Sequence, residues 1–424
     1  MGFVDAGALG GTVLRGVDVI PGPAPLLASG ERGAPRLQSS SFDALNFGSC
    51  RGLGPQVTGC SIKNAGDDSW SVQPHDYLVL KSVRATSSSH GTGAESYHMV
   101  VASRETFGGI FFRGDVLAPG LGGPTGMAVA MATVVSEVAG VRKLSEAGLN
   151  SATIARVLAA KPYSLWAVGG PDTRCLNFTV TVSAEASVGW AAAGAVGRSL
   201  YSPSWACSRF RFTDNVVDSS GRLLIKSGPG TVANNTVISA HGIVVATELP
   251  PGGAAGITSV KISDNWISLA GGHENMPYGA QGGAVSIAIA DSEHQFRNVS
   301  ADIPIALADI EVTGNTFDRC HGPNLVLASV VNATVSGNRF LGSFENSVST
   351  SGASYGVPST ALIFVSQVSG VRFDANRVGS DGEPGPEATQ CVVLGPGAKG
   401  NIAGLPGNAT SGGAWCKLPG ANKH

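Results

Sequence analysis

The chain has 424 residues, with 59 glycines and 23 prolines, 14% charged residues and a formal net charge of −2. That balance excludes the Lys/Arg excess of a nucleic-acid-binding face, and the glycine follows no collagen-like period. No apolar run reaches the roughly 18 residues a membrane-spanning helix needs, Met127–Val135 being far shorter.

The first residues, MGFVDAGALGG, lack the basic and apolar regions of a secretory signal. Five Asn-x-Ser/Thr sequons nevertheless occur, at Asn177, Asn234, Asn298, Asn332 and Asn408. The expected setting is secreted, or a secretory or lysosome-like compartment. The seven cysteines form no Cys-x-x-Cys pair. They read as buried thiols, with one or two disulfides open to them in an oxidising compartment.

Residues 1–81 read as a few short strands separated by Gly, Ser and Asn turns, among them Val57–Ile62. Residues 82–205 break that pattern and read as an inserted, β-rich domain. Within it, Tyr97–Val101 and Ile110–Val116 predict two strands around a Gly-Gly turn. Lys143–Ala160 predicts a helix, and Phe178–Ser183 another strand.

From 206 to 424 one template recurs: alternating apolar residues, two small or polar residues, Asn, then an apolar pair. It appears as Phe210-Arg-Phe-Thr-Asp-Asn215-Val-Val, and again around Asn235, Asn265, Asn315, Asn338 and Asn376. Period-2 alternation makes a strand with one face inward. Asn, which tolerates a left-handed backbone, turns the chain into the next strand. Stacked Asn side chains can hydrogen-bond from rung to rung. The gaps between these asparagines are 20, 30, 50, 23 and 38 residues. Gaps of 20 and 23 fit one rung, 30 and 38 fit rungs with loops, and 50 fits two. The expected fold class is all-β: a right-handed parallel β-helix, or solenoid, with an inserted small domain. An antiparallel sandwich would place Asn-Gly or Asp-Gly in two-residue turns, and here the Asn leads into an apolar strand.

The densest polar cluster on a rung is Asp67-Asp68-Ser-Trp70, followed by Gln73-Pro74-His75. Asp43 lies 24 residues before Asp67, about one rung, so the three carboxylates should share one face roughly 4.8 Å apart. Carboxylates so placed cannot all ionise easily, and one pKa should rise. A glycosidase needs that pairing: one protonated acid and one ionised partner. Zinc-ligand spacing, a phosphate loop and a calcium loop are all missing from the sequence, so no metal or cofactor is expected.

The runs Ser41-Phe-Asp43-Ala-Leu-Asn-Phe-Gly-Ser-Cys50-Arg51-Gly and Val57-Thr-Gly-Cys60-Ser-Ile-Lys-Asn-Ala-Gly-Asp67-Asp68 resemble the α-1,3-galactosidases of glycoside hydrolase family 110. The likeness is tight over residues 41–77 and loose elsewhere, with Gly221-Arg222-Leu-Leu-Ile-Lys226 resembling a further rung. It implies a β-helix with an inserted β-barrel, and inverting, metal-free removal of terminal α-linked galactose from an oligosaccharide or glycoconjugate. It carries the catalytic role to Asp43, Asp67 and Asp68. Arg51, Trp70, His75, Arg222 and Lys226 are the expected substrate-binding residues. Two departures matter. The family's Asn-Val-His-Gly reads Ser71-Val-Gln73-Pro74 here, with His75 two places late. The family also has several rungs before the acidic ones, which predicts an N-terminally incomplete sequence here.

Three other functions stay open. A non-catalytic glycan-binding or surface structural β-helix fits the departures. A polygalacturonase-like pectin hydrolase would follow its acidic pair with Gly-His-Gly, which this chain lacks. A polysaccharide lyase would want a basic proton acceptor that is not evident. Oligomeric state is open, a homodimer included.

Overall fold

In the computed structural model most residues from 2 to 405 are described. Outside that set lie chiefly much of 25–35, 86–93, 104–110, 120–131, 136–140, most of 144–173, and 184–198 apart from Trp190. So do 247–256, 272–281, 290–306, 342–355, 380–389, 406–424 and isolated positions including His75.

Short apolar-alternating segments that cannot bury their faces alone must stack, and here they do. Phe3–Ala6 pairs in parallel with Leu45–Gly48, which pairs with Trp70–Gln73, then Leu223–Ile225, Ile243–Ala246 and Val285–Ala288. A second column runs from Val13–Arg15 through Gln56–Thr58, Phe210–Thr213, Gly230–Ala233 and Val260–Ser263 to Leu307–Thr313. A third begins at Asp18–Val19 and Ser61–Lys63 and ends at Arg377–Val378. In the later rungs the first two strands fuse into Leu325–Ser336 and Ala361–Asp374. The result is an all-β, β-helix-like solenoid of parallel rungs. One apolar core runs along its axis, from Leu45 and Phe47 to Val371 and Phe373. Each such aliphatic or aromatic side chain contributes about 1.5–3 kcal/mol by burial.

Asparagines hold the corner between the second and third columns. The Asn215 backbone N–H and Nδ2 both donate to Asn235 Oδ1, at 2.9 and 3.0 Å. Asn235 does the same to Asn265, Asn265 to Asn315, Asn315 to Asn338 and Asn338 to Asn376. Each Nδ2 also donates to a strand carbonyl of the preceding rung, as Asn265 does to Val232 at 3.0 Å. At the start of the column Cys60 replaces asparagine, its N–H donating to Asn215 Oδ1 at 2.8 Å.

Two details correct the sequence reading. The asparagine is not the left-handed residue; the position before it is, at Asp214, Asn234, Asp264, Gly314, Gly337 and Ala375, with φ between 51° and 67°. The asparagine is thereby free to point inward. The 50-residue gap is also a single rung, because Asn265 bonds Asn315 directly at 2.9 Å.

The insert leaves the solenoid within a rung, after Trp70–Gln73, and returns at Phe210–Thr213. Its strands Asp76–Arg84, Glu95–Ser103, Arg174–Val182, Ala132–Val134, Val116–Pro119 and Ser199–Tyr201 pair antiparallel in a closed ring of six. The barrel interior is packed with Met99, Phe111, Phe178, Trp190 and Leu200. Its first strand starts at Asp76, earlier than the expected boundary at 82. The expected strand Ile110–Val116 is instead a turn at Arg113-Gly114 leading into Val116–Pro119. The expected helix over 143–160 falls mostly outside the described residues, and Lys143 ends a strand, Val141–Lys143. Among the described residues no helix is long and apolar enough to cross a membrane.

A disulfide, Cys50–Cys207, joins the second rung to the barrel's return point across 157 residues. Cys60, Cys175 and Cys320 are buried free thiols, so both readings of the cysteines hold, each for some of them.

Asn265→Ala should orphan the Asn235 N–H and Nδ2 together. We expect a loss of about 2–5 kcal/mol in urea denaturation, since each buried unsatisfied polar group costs roughly 1–3 kcal/mol. Lys261→Ala, on an exposed strand position of the same rung, should cost under about 0.5 kcal/mol.

Candidate active site

Rung register builds the acidic cluster. Leu45 pairs with Trp70 and Trp70 with Leu223, so the residues two places earlier, Asp43, Asp68 and Gly221, stack in one column. The Ala44 N–H donates to the Asp68 carbonyl at 2.8 Å. Gly221 has to be glycine: a Cβ there would sit 2.0 Å from the Asp67 carbonyl oxygen. Asp43, Asp67 and Asp68 each bring one carboxylate oxygen within 4.8 Å of the others. Asp67 is exposed, Asp43 half-buried and Asp68 buried.

Each carboxylate is held differently. Asp43 Oδ2 accepts from Asn46 Nδ2 at 2.6 Å and from Ser71 Oγ at 2.9 Å. The buried Arg222 donates Nε to Asp68 Oδ1, with Nη2 3.5 Å from Oδ2. Burial pushes the Asp68 carboxyl up to about 7, against the pull of the Arg222 guanidinium, with Asp43 and Asp67 pushing the same way as burial. Asp43 is also raised, first by burial; the Ser71 hydrogen bond opposes that and the Asp67 charge adds to it. Three oxygens this close could take a hard divalent cation, but the Arg222 guanidinium already occupies one of those carboxylates.

Lys226 lies on the same outer face at the other end of the strand. It is buried, and its Nζ donates to Gln73 Oε1 at 3.0 Å. The Gln73-Pro74 departure thus places an amide against a lysine.

Of the other expected residues, Arg222 reaches the cluster through Asp68, and Trp70 and Arg51 do not. Trp70 is fully buried in the solenoid core, its ring stacked on Phe212 at 4.7 Å and tilted to Phe210 at 5.4 Å. It offers no face to a sugar, because in strand alternation it shares the inward parity of Leu45 and Leu223. Arg222 serves Asp68 rather than an open groove. Arg51 lies past the opposite end of the strand, at the barrel joint, paired with Asp115 at 3.0 Å. His75 is outside the described residues. The sequence reading missed Asn46 and Ser71. Their 25-residue offset equals that of Asp43 and Asp68 and would have revealed them.

Comparison with protein-family models finds no matching family, and comparison with curated proteins finds no matching relative.

A carboxyl with a folded pKa above its unfolded value stabilises the fold while protonated. The Asp68 contribution is therefore complete below about pH 3.8 and lost as pH rises through about 7. The unfolding free energy of the wild type, from denaturant titration, should fall across that window relative to Asp68→Asn, by up to about 4 kcal/mol. Parallel pH profiles for the two proteins would refute the buried, protonated Asp68.

Proposed function

We propose that this chain is a glycoside hydrolase acting on a terminal α-linked galactoside, with its acidic trio as the catalytic centre. The observation that carries the reading is the trio's geometry: a buried Asp68 and an exposed Asp67 with carboxylate oxygens within 4.8 Å of each other and of Asp43, an arrangement in which burial, against the pull of Arg222, raises the Asp68 pKa to about 7. That is the division of labour a glycosidase needs, a proton for the leaving oxygen and a charged partner for water. In this reading Asp68 donates the proton and Asp67 orients the attacking water. Asp43 adds to the burial that raises the Asp68 pKa, and Arg222, which pulls it down, fixes the Asp68 carboxyl in place. The resemblance of residues 41–77 to family 110 supplies the galactose, the inverting outcome and the right-handed coil, which is also the usual hand of parallel connections. An oxidising, extracytoplasmic setting is supported by the Cys50–Cys207 disulfide. Exposed sequon asparagines at positions 177, 234 and 332 support glycosylation.

Inverting enzymes separate their carboxyls by roughly 6.5–9.5 Å to admit water. The nearest oxygens of the trio are closer, within 4.8 Å, so the reading requires Asp67 to act through its outward oxygen. The same closeness favours a second reading, a non-catalytic glycan-binding solenoid in which the trio binds hydroxyls.

Release of galactose from α-galactosyl oligosaccharides separates the two. We expect turnover in EDTA, with the β-anomer released first by proton NMR. Asp68→Asn should lower kcat/KM by about 10²–10⁴. Binding without turnover would establish the second reading, and the α-anomer first would overturn inversion alone.

A further inference from the structure

A pocket of about 580 Å³ lies where the barrel meets the first two rungs, and none of the acidic trio lines it. Its walls include Leu9, Gly11, Arg51, Leu53, Asp115 and Ser204. Arg51 is held there as a fixed donor. Its Nε donates to Asp115 Oδ1 at 3.0 Å, and its guanidinium carbon lies 4.8 Å from the centre of the Phe112 ring. Phe112 in turn stacks on Trp205 at 6.0 Å. Arg51 nevertheless keeps 40% of its side chain exposed, and among the described residues Nη1 has no acceptor.

Beside its leucines and glycines, the pocket's polar side chains present donors. Asp115 is buried and already filled: besides Arg51, it accepts from Trp205 Nε1 at 2.7 Å and from the Phe112 N–H at 2.8 Å. The Ser204 hydroxyl accepts from the Val116 N–H at 2.9 Å, leaving its own proton to give. The glycine at 11 has open space where a Cβ would point. A planar guanidinium with one edge anchored and the other free suits a second planar carboxylate. The volume lies in the range of small-ligand pockets, roughly 300–1,000 Å³.

We propose that this pocket is a second glycan site, one that binds the carboxylate of a hexuronate on the free edge of Arg51. The choice of a sugar acid over other carboxylates rests on the carbohydrate reading of the acidic trio; the anion site itself does not.

Calorimetric titration with galacturonate, galactose and acetate, on the full chain, tests it. Galacturonate should bind, acetate at least about tenfold more weakly, and any galactose binding should be unaffected by Leu53→Glu. Arg51→Gln should lose galacturonate binding. Because Arg51 also ties the barrel to the solenoid, Leu53→Glu is the companion variant. Leu53 is 41% exposed, and a carboxylate placed there should occupy Arg51 and abolish galacturonate binding with the fold intact. Asp68→Asn should bind galacturonate like the wild type, whether or not any glycoside is cleaved. Wild-type affinity for galacturonate in Leu53→Glu, or loss of galacturonate binding in Asp68→Asn, would overturn the proposal.

Discussion

One corner of the solenoid sets the height of every rung. There, six asparagine side chains bond in an unbroken column, the amide carbonyls of the last five each accepting twice from the rung before and each Nδ2 reaching back to a strand carbonyl. A slip by one residue would break two bonds per rung and turn every core side chain outward. The column begins at Cys60, on the rung that ends in Asp67-Asp68. The same register places Leu45 on Trp70 and hence Asp43 over Asp68. The acidic trio follows from strand pairing and the tight approach at Gly221, with Asn46, Ser71 and Arg222 fixing its carboxylates in place.

The barrel is inserted in the middle of a rung, so that rung's strands are separated in sequence by the whole insert and rejoined in space. Two links secure the joint. The Cys50–Cys207 disulfide ties the return point to the preceding rung, and the Arg51–Asp115 pair ties a barrel loop to the same corner. Asp115 accepts bonds from the solenoid, its own loop and Trp205 at once. Its buried charge therefore has the several donors that burial demands.

Much of this was legible in the sequence. The repeat Asn template gave the rungs, and the 24-residue offset between Asp43 and Asp67 put the carboxylates together. The misreadings have physical causes. Loop length hides rung length, so a 50-residue rung looked like two. Asn tolerates the left-handed turn, yet its predecessor makes it, as Ala375 does at φ 51°. Trp70 sits in a polar run, yet strand parity with Leu45 turns it into the core. The Arg51–Asp115 pairing joins residues 64 apart on different folds, and no local pattern announces it.

One proton, on Asp68, decides whether the trio can act as an acid. Carbon-detected NMR titration of the aspartate carboxyls, assigned by comparison with Asp68→Asn, measures it directly. One resonance that is absent from the variant and titrates near pH 7 is the expected result. If the Asp68 resonance titrates below about pH 5, as an ordinary or Arg-stabilised carboxylate would, the trio holds no acid at neutral pH and the hydrolytic reading loses its basis.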